Sequence, residues 1–133
     1  MGVRLWGVVG DRLVEVLLEG PVPVAGLRIE GLPESRMRTA ADRVRAALVN
    51  SGLIDEVPPS AIRLEPCVEA GRTSDLDLAV ALAVLARAGS IGSEVRWVFA
   101  VGRLGLDGTV HSEDLEESVS IVTVVTALRE TVQ

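Results

Sequence analysis

The segment Asp75-Leu76-Asp77-Leu78-Ala79-Val80-Ala81-Leu82-Ala83-Val84-Leu85-Ala86-Arg87-Ala88-Gly89 constrains this chain more than any other. Past Asp77 it is apolar on nearly every side until Arg87, whereas a helix at a protein surface keeps one polar face. Such a helix has to be central, with other elements packed around it, and its many alanines let those neighbours approach closely. The apolar stretch from Leu76 to Ala88 is too short to cross a bilayer. The rest of the chain must therefore supply the cover, which points to a layered fold. Ser74 followed three residues later by Asp77 has the spacing of a capping box, so Ser74 is the expected N-cap, and Gly89 the expected stop.

The covering elements are legible on both sides of that helix. Val3 to Val9 and Leu13 to Glu19 are rich in Val and Leu and are joined by Gly10-Asp11-Arg12, which predicts a hairpin. Gly20-Pro21-Val22-Pro23 breaks the pattern, and Ala25 to Glu30 reads as a third strand ending at the Gly31-Leu32-Pro33 corner. A helix follows from about Glu34 to Val49. At roughly 100° per residue, Met37, Ala40, Ala41, Val44, Ala47 and Leu48 share one face. Arg36 and Arg43 lie along one edge of that face, Arg38 and Arg45 along the other. Asn50-Ser51-Gly52 is the expected stop, with Gly52 in the left-handed conformation.

Pro58-Pro59-Ser60 is a second breaker. Ala61 to Val68 reads as a short strand that Pro66 marks as an edge or an early end. Arg96 to Val101 is a strand, and Leu104 to Val110 has Asp107-Gly108 at its centre, a strong hairpin signal. Ser112 to Val132 is expected as a last helix opened by the acids Glu113 to Glu117, though its middle, Ser118 to Val125, is rich in β-branched residues. No repeat, low-complexity tract or linker divides the chain. Residues 1–133 read as one α+β domain, one mostly antiparallel sheet packed with about three helices.

Composition narrows the chemistry. Aromatic residues make up only 2% of the chain (Trp6, Trp97 and Phe99), so the core must be built from Val, Leu, Ile and Ala, and three rings are few for a base-stacking platform. The net charge of -6 opposes wide, non-specific phosphate binding without excluding a local basic patch. All 13 basic residues are arginine, so no lysine can act as a base or complete a phosphate loop. A single cysteine, Cys67, excludes an internal disulfide and multi-cysteine metal sites. A single histidine, His111, excludes paired-histidine zinc motifs. The start of the chain lacks the charged head and apolar run of a signal peptide. A cytoplasmic protein without metal or cofactor is expected.

Three segments resemble a known family. Gly31-Leu32-Pro33-Glu34-Ser35 followed by Arg43-Val44-Arg45-Ala46-Ala47-Leu48-Val49-Asn50-Ser51-Gly52 is similar to the N-terminal domain of YifB/ComM-type proteins, AAA+ ATPases described as magnesium-chelatase-like. Asp77-Leu78-Ala79-Val80-Ala81-Leu82-Ala83 resembles a helix of that family and, more closely, one in RadA-type proteins. Gly102-Arg103-Leu104-Gly105-Leu106-Asp107-Gly108-Thr109-Val110 resembles the family's Asp-Gly hairpin. The first motif is specific, whereas the other two are shared across the fold. The resemblance implies a Lon protease C-terminal-domain-like fold, related to the second domain of a small-subunit ribosomal protein. It also implies a place beside an ATPase ring, in DNA processing and natural transformation. The chain departs from the family pattern in three places. His111-Ser112-Glu113-Asp114-Leu115-Glu116-Glu117 replaces the segment after the hairpin, the strand expected after the last helix is missing, and no Gly-x-x-x-x-Gly-Lys phosphate loop is present. The family's magnesium-chelatase name reflects the ATPase module and implies no metal in this part.

The resemblance also sets the question of catalysis. Lon-type proteases use a serine at the start of the second helix and a lysine on the next one, because a serine hydroxyl needs a base to take its proton. Laid on that helix, the nucleophile position falls on Asp77, and the lysine has no counterpart. Ser74 as N-cap and Asp77 as a carboxylate favouring the helix dipole are the preferred readings, so no catalytic residue is expected. Arg36, Arg38, Arg43 and Arg45 are open to two readings: a solvated rim paired with Glu34 and Asp42, or a surface for nucleic acid or a partner subunit, since arginine makes planar two-pronged contacts with phosphate and carboxylate. Cys67 is expected to pack as a small apolar side chain and His111 to lie at the surface. The function expected from all of this is a non-catalytic accessory domain, docking an AAA+ ATPase module or associating with itself. Direct DNA binding through the arginine edges is the alternative, and an inactive peptidase relative the weakest.

Overall fold

The computed structural model describes residues 3–19, 26–91, 96–113 and 115–130. The Gly20-Pro21-Val22-Pro23 break, Ala25 and the last three residues lie outside them. Strands β1 (Val3–Val9) and β2 (Arg12–Leu18) form the expected hairpin, closed by Gly10-Asp11 with Val9 opposite Arg12. Gly10 takes a positive φ of 64°, a conformation open to glycine at little cost. Strand β3 (Leu27–Glu30) leads into helix α1 (Glu34–Asn50), and strand β4 (Ser60–Glu65) follows. A 3₁₀ turn over Thr73–Leu76 feeds helix α2 (Asp77–Arg87). Then come β5 (Arg96–Phe99), β6 (Arg103–Leu104), β7 (Thr109–His111), β8 (Val119–Ser120) and helix α3 (Ile121–Glu130).

The class is α+β with three helices, and the sheet comes in two parts. Five strands form a mixed sheet in the order β3-β4-β2-β1-β5, and β6-β7-β8 form a small antiparallel one. Within the larger sheet β1–β2 and β2–β4 run antiparallel, while β3–β4 and β1–β5 are parallel. Strand β4 is thus interior. Pro66 marks its early end rather than an edge, because a residue without an N–H cannot extend the ladder.

Helix α2 is as central as its composition demands, with every residue from Asp77 to Leu85 buried. It packs on one face of the larger sheet and beside α1, which contributes Ala40, Val44, Ala47 and Leu48 to the core. The opposite sheet face carries exposed or half-exposed Arg4, Trp6, Glu15, Arg63, Glu65, Trp97 and Phe99. Alternation along each strand separates these from Leu5, Val14, Val16 and Leu64 beneath. The buried core of the described residues contains no aromatic ring.

Several expectations change. Ser74 does not cap α2: it sits inside the 3₁₀ turn, and no side chain caps either that turn or the helix. The serine that does cap a helix is Ser120, whose Oγ accepts from the Val122 N–H at 3.1 Å at the start of α3. The acid run does not open that helix. Its described residues form the connection between β7 and β8, because β-branched Val119 pairs with Val110 and delays the helix to Ile121. Cys67 follows Pro66 on the loop after β4 and is an exposed free thiol. His111 is half-buried on β7, with Nε2 2.9 Å from Thr109 Oγ1.

Candidate functional site

The N-terminus of α2 is where the sequence resemblance puts chemistry, and it holds a closed ion pair. Asp77 is 3% exposed. Arg43 Nε donates to its Oδ2 at 2.7 Å and Arg43 Nη2 to its Oδ1 at 2.8 Å, the fork geometry that only arginine supplies. The backbone N–H of Leu104 donates to Oδ2 at 3.0 Å. Burial pushes the Asp77 carboxyl above the usual carboxylate range, against the opposing effect of Arg43 and the Leu104 N–H. The same bond raises the pKa of Arg43, which stays a cation. Both carboxylate oxygens are therefore occupied within the fold. The pair ties α1, α2 and β6 together at one point, and the neighbouring bonds Leu78 N–H to Gly102 O and Gly102 N–H to Asp75 O reinforce the junction.

The two edges of α1 differ in what they do. On the edge facing α2, Arg43 reaches Asp77, and Arg36 donates to Gly71 O at 2.8 Å and Thr73 Oγ1 at 3.2 Å. These two arginines hold the loop before α2 against α1. On the other edge Arg38 and Arg45 are exposed and make no ion pair or hydrogen bond among the described residues. Among the described residues the expected pairing of the rim with Glu34 and Asp42 is absent, and Arg43 pairs with Asp77 on α2 instead. With Arg28, Arg38 and Arg45 rim a shallow groove of about 370 Å³ between β3 and α1, floored by Leu27, Ile29, Met37 and Ala41.

Two further features escape sequence reasoning. An open cleft of about 870 Å³ lies at the end of the sheet, lined by Arg12, Val14, Val68, Arg72, Asp75 and Glu113 among others. The exposed ion pair Arg72–Glu113 spans it, and burial raises the Asp75 carboxyl despite Arg72 beside it. Its residues come from the β1–β2 hairpin and from separate later stretches of the chain, which leaves no local signal in the sequence. The second feature is an aromatic cluster at the β1–β5 edge. Trp6 and Trp97 stack with centroids 5.7 Å apart and ring planes 3° apart. The Arg4 guanidinium lies 4.4 Å from the Trp97 centroid, and Trp97 and Phe99 are 65% and 60% exposed. Few rings are present, but all of them gather in one place. Magnesium takes oxygen ligands, and among the described residues no group of three or more acidic, His or Cys side chains converges on a metal-sized site. No helix of the described residues is long and apolar enough to cross a membrane.

Residues 14–131 match the family model for subunit ChlI of Mg-chelatase. Over 99 residues, 74% of the chain, it is 34% identical to the "Uncharacterized protein YifB" of Salmonella typhimurium strain LT2 and, to the same extent, to that of Escherichia coli strain K12. The chain belongs to this family of YifB-type, magnesium-chelatase-like proteins. The matched part is 19% of each of these relatives, so the chain spans about a fifth of their length.

Proposed function

We propose that this chain is a non-catalytic, cytoplasmic module of a YifB-type protein, which docks an AAA+ ATPase module or organises its oligomer during DNA processing. It needs no metal or cofactor of its own. The observation that carries the reading is the state of Asp77. At the position where a Lon-like enzyme would hold its nucleophile, both carboxylate oxygens are bonded to Arg43 and the Leu104 N–H. The chain has no lysine to serve as the base. A residue so engaged and 3% exposed is taken up in holding the fold, which supports a structural role over a catalytic one.

The purified chain is expected to hydrolyse neither ATP nor fluorogenic peptides above a heat-denatured control, with no change on Ser74→Ala. In analytical ultracentrifugation it is expected to associate with itself or with the ATPase region of a YifB-type protein. ATP turnover by this chain alone, or a monomer indifferent to that region, would overturn the reading. Nucleic-acid binding through α1 stands second. It is favoured by Arg38 and Arg45, which have no partner among the described residues, and weakened because Arg36 and Arg43 are spent internally. Binding of forked DNA that falls steeply with salt, and is lost on charge reversal at Arg38 and Arg45, would put it first.

A further inference from the structure

Strand β3 is an edge of the larger sheet. It pairs with β4 on one side, and among the described residues nothing pairs with the other. Every second N–H and C=O of Leu27–Glu30 is therefore offered outward, in the arrangement that accepts an added strand. Helix α1 runs beside this edge and converts it into the 370 Å³ groove, which has an apolar floor. A strand edge beside a helix, with side-chain pockets between them, is how extended peptides are bound by strand addition.

The charge of the groove selects among such peptides. Its lining holds Arg28, Arg38 and Arg45 against one acid, Asp42, a surplus of two positive charges in a chain of net charge -6. Arg28 pairs with Glu30 on its own strand, while Arg38 and Arg45 have no partner among the described residues, which leaves their guanidinium groups for a ligand carboxylate. A nucleic acid fits less well. It offers no backbone donors and acceptors in the spacing of a strand, and the exposed rings it would stack on, Trp97 and Phe99, belong to β5 at the opposite edge of the sheet.

We propose that the groove between α1 and the free edge of β3 binds an extended, acidic segment of a partner protein as an added strand, anchored by Arg38 and Arg45. The proposal rests on the docking function and assigns it a surface and a partner chemistry. It is tested by titrating the ¹⁵N-labelled chain with a blocked heptapeptide of alternating Glu and Val. Controls are the same peptide with Lys in place of Glu and a ten-residue oligo-dT. The acidic peptide is expected to shift the amides of Leu27–Glu30 and slow their hydrogen exchange. Arg38→Glu/Arg45→Glu should weaken it at least about tenfold, and Trp97→Ala should leave it unchanged. Equal binding of the Lys peptide, shifts confined to other elements, or no binding at millimolar peptide would overturn the proposal. Binding of oligo-dT alone, lost on the same reversal, would overturn it in favour of nucleic acid. If the chain still associates with the ATPase region and the reversal leaves that association intact, docking stands and only the groove assignment falls.

Discussion

Removing Arg43 isolates the energetics of the ion pair. Arg43→Leu keeps the apolar stem and deletes the guanidinium, leaving the Asp77 carboxylate buried with the Leu104 N–H as its remaining partner. Removing one member of a buried pair typically costs 3–5 kcal/mol. Arg43 is itself 24% exposed, so the site is not sealed and the lower end applies, about 3 kcal/mol at pH 7. The loss should depend on pH in a definite direction. Burial already raises the Asp77 carboxyl and Arg43 opposes that rise, so the variant's folded-state pKa climbs further above the unfolded value of about 3.9. Between those two values the folded state binds the proton more tightly than the unfolded chain. Stability is therefore lost as pH rises through the window and regained as it falls. The deficit measured by urea denaturation, followed through the Trp6 and Trp97 emission, should shrink to about 1 kcal/mol near pH 4, the part due to guanidinium hydrogen bonds that leucine cannot make to the protonated carboxyl. Asp77→Leu/Arg43→Leu should be less destabilised than Arg43→Leu alone, since an apolar pair buries no charge. An equal deficit at pH 7 and pH 4, or one below about 0.5 kcal/mol, would show that the pair does not hold α1 to α2 as argued.

Gly108→Ala should cost about 2–3 kcal/mol. Gly108 has φ 91°, and a Cβ would stand 2.9 Å from Ser51 Cβ and 3.2 Å from Ala47 O. Gly52→Ala, at φ 80° but with nothing within 4 Å, should cost about 1 kcal/mol, and equal losses would refute the steric account. Asp107 should titrate below the usual carboxylate range because the side chain and N–H of Thr109 both donate to Oδ1. NMR titration should find its pKa moved back upward in Thr109→Val, and its small stabilising contribution is lost as pH falls through the folded-state pKa. Trp97→Ala should cost about 1 kcal/mol through loss of the stacked pair and shift the Trp6 emission to longer wavelength, whereas unchanged emission would place the two rings apart in solution.

Periodicity carried the fold where it was unambiguous. Burial follows the apolar face at Ala40, Val44, Ala47 and Leu48 of α1 and the all-round apolarity of α2, as the 3.6-residue repeat and the need to hide apolar surface require, while Met37 and Ala41 of the same α1 face stay half-exposed. It failed where two local preferences competed. The acids at 113–117 suit a helix start, but Val119 is a good strand residue, and pairing of Val119 and Ser120 with Val110 and Thr109 decided the matter. That pairing is a tertiary contact which no local window contains. The capping box failed in the same way: Ser74 and Asp77 have the spacing, yet the partner of Asp77 lies 34 residues away on α1.

One signal could have found the Arg43–Asp77 pair. A carboxylate on a helix that is otherwise apolar all round will be buried, and a buried carboxylate requires a cation. Without lysine, the candidates are arginines, and those at the edge of the amphipathic helix expected to pack against α2 come first. That reasoning divides the four arginines by what they face. Arg36 and Arg43 are committed to holding the central helix and the loop that enters it, while Arg38 and Arg45 project over the groove beside β3 with no such task. Among the described residues two arginines without a partner thus stand beside a strand edge that nothing pairs, where acids or a covering loop would blunt the edge. The position that the Lon resemblance marks for a nucleophile thus holds an ion pair within the fold, and the helix it secures carries the two arginines on which the proposed groove depends.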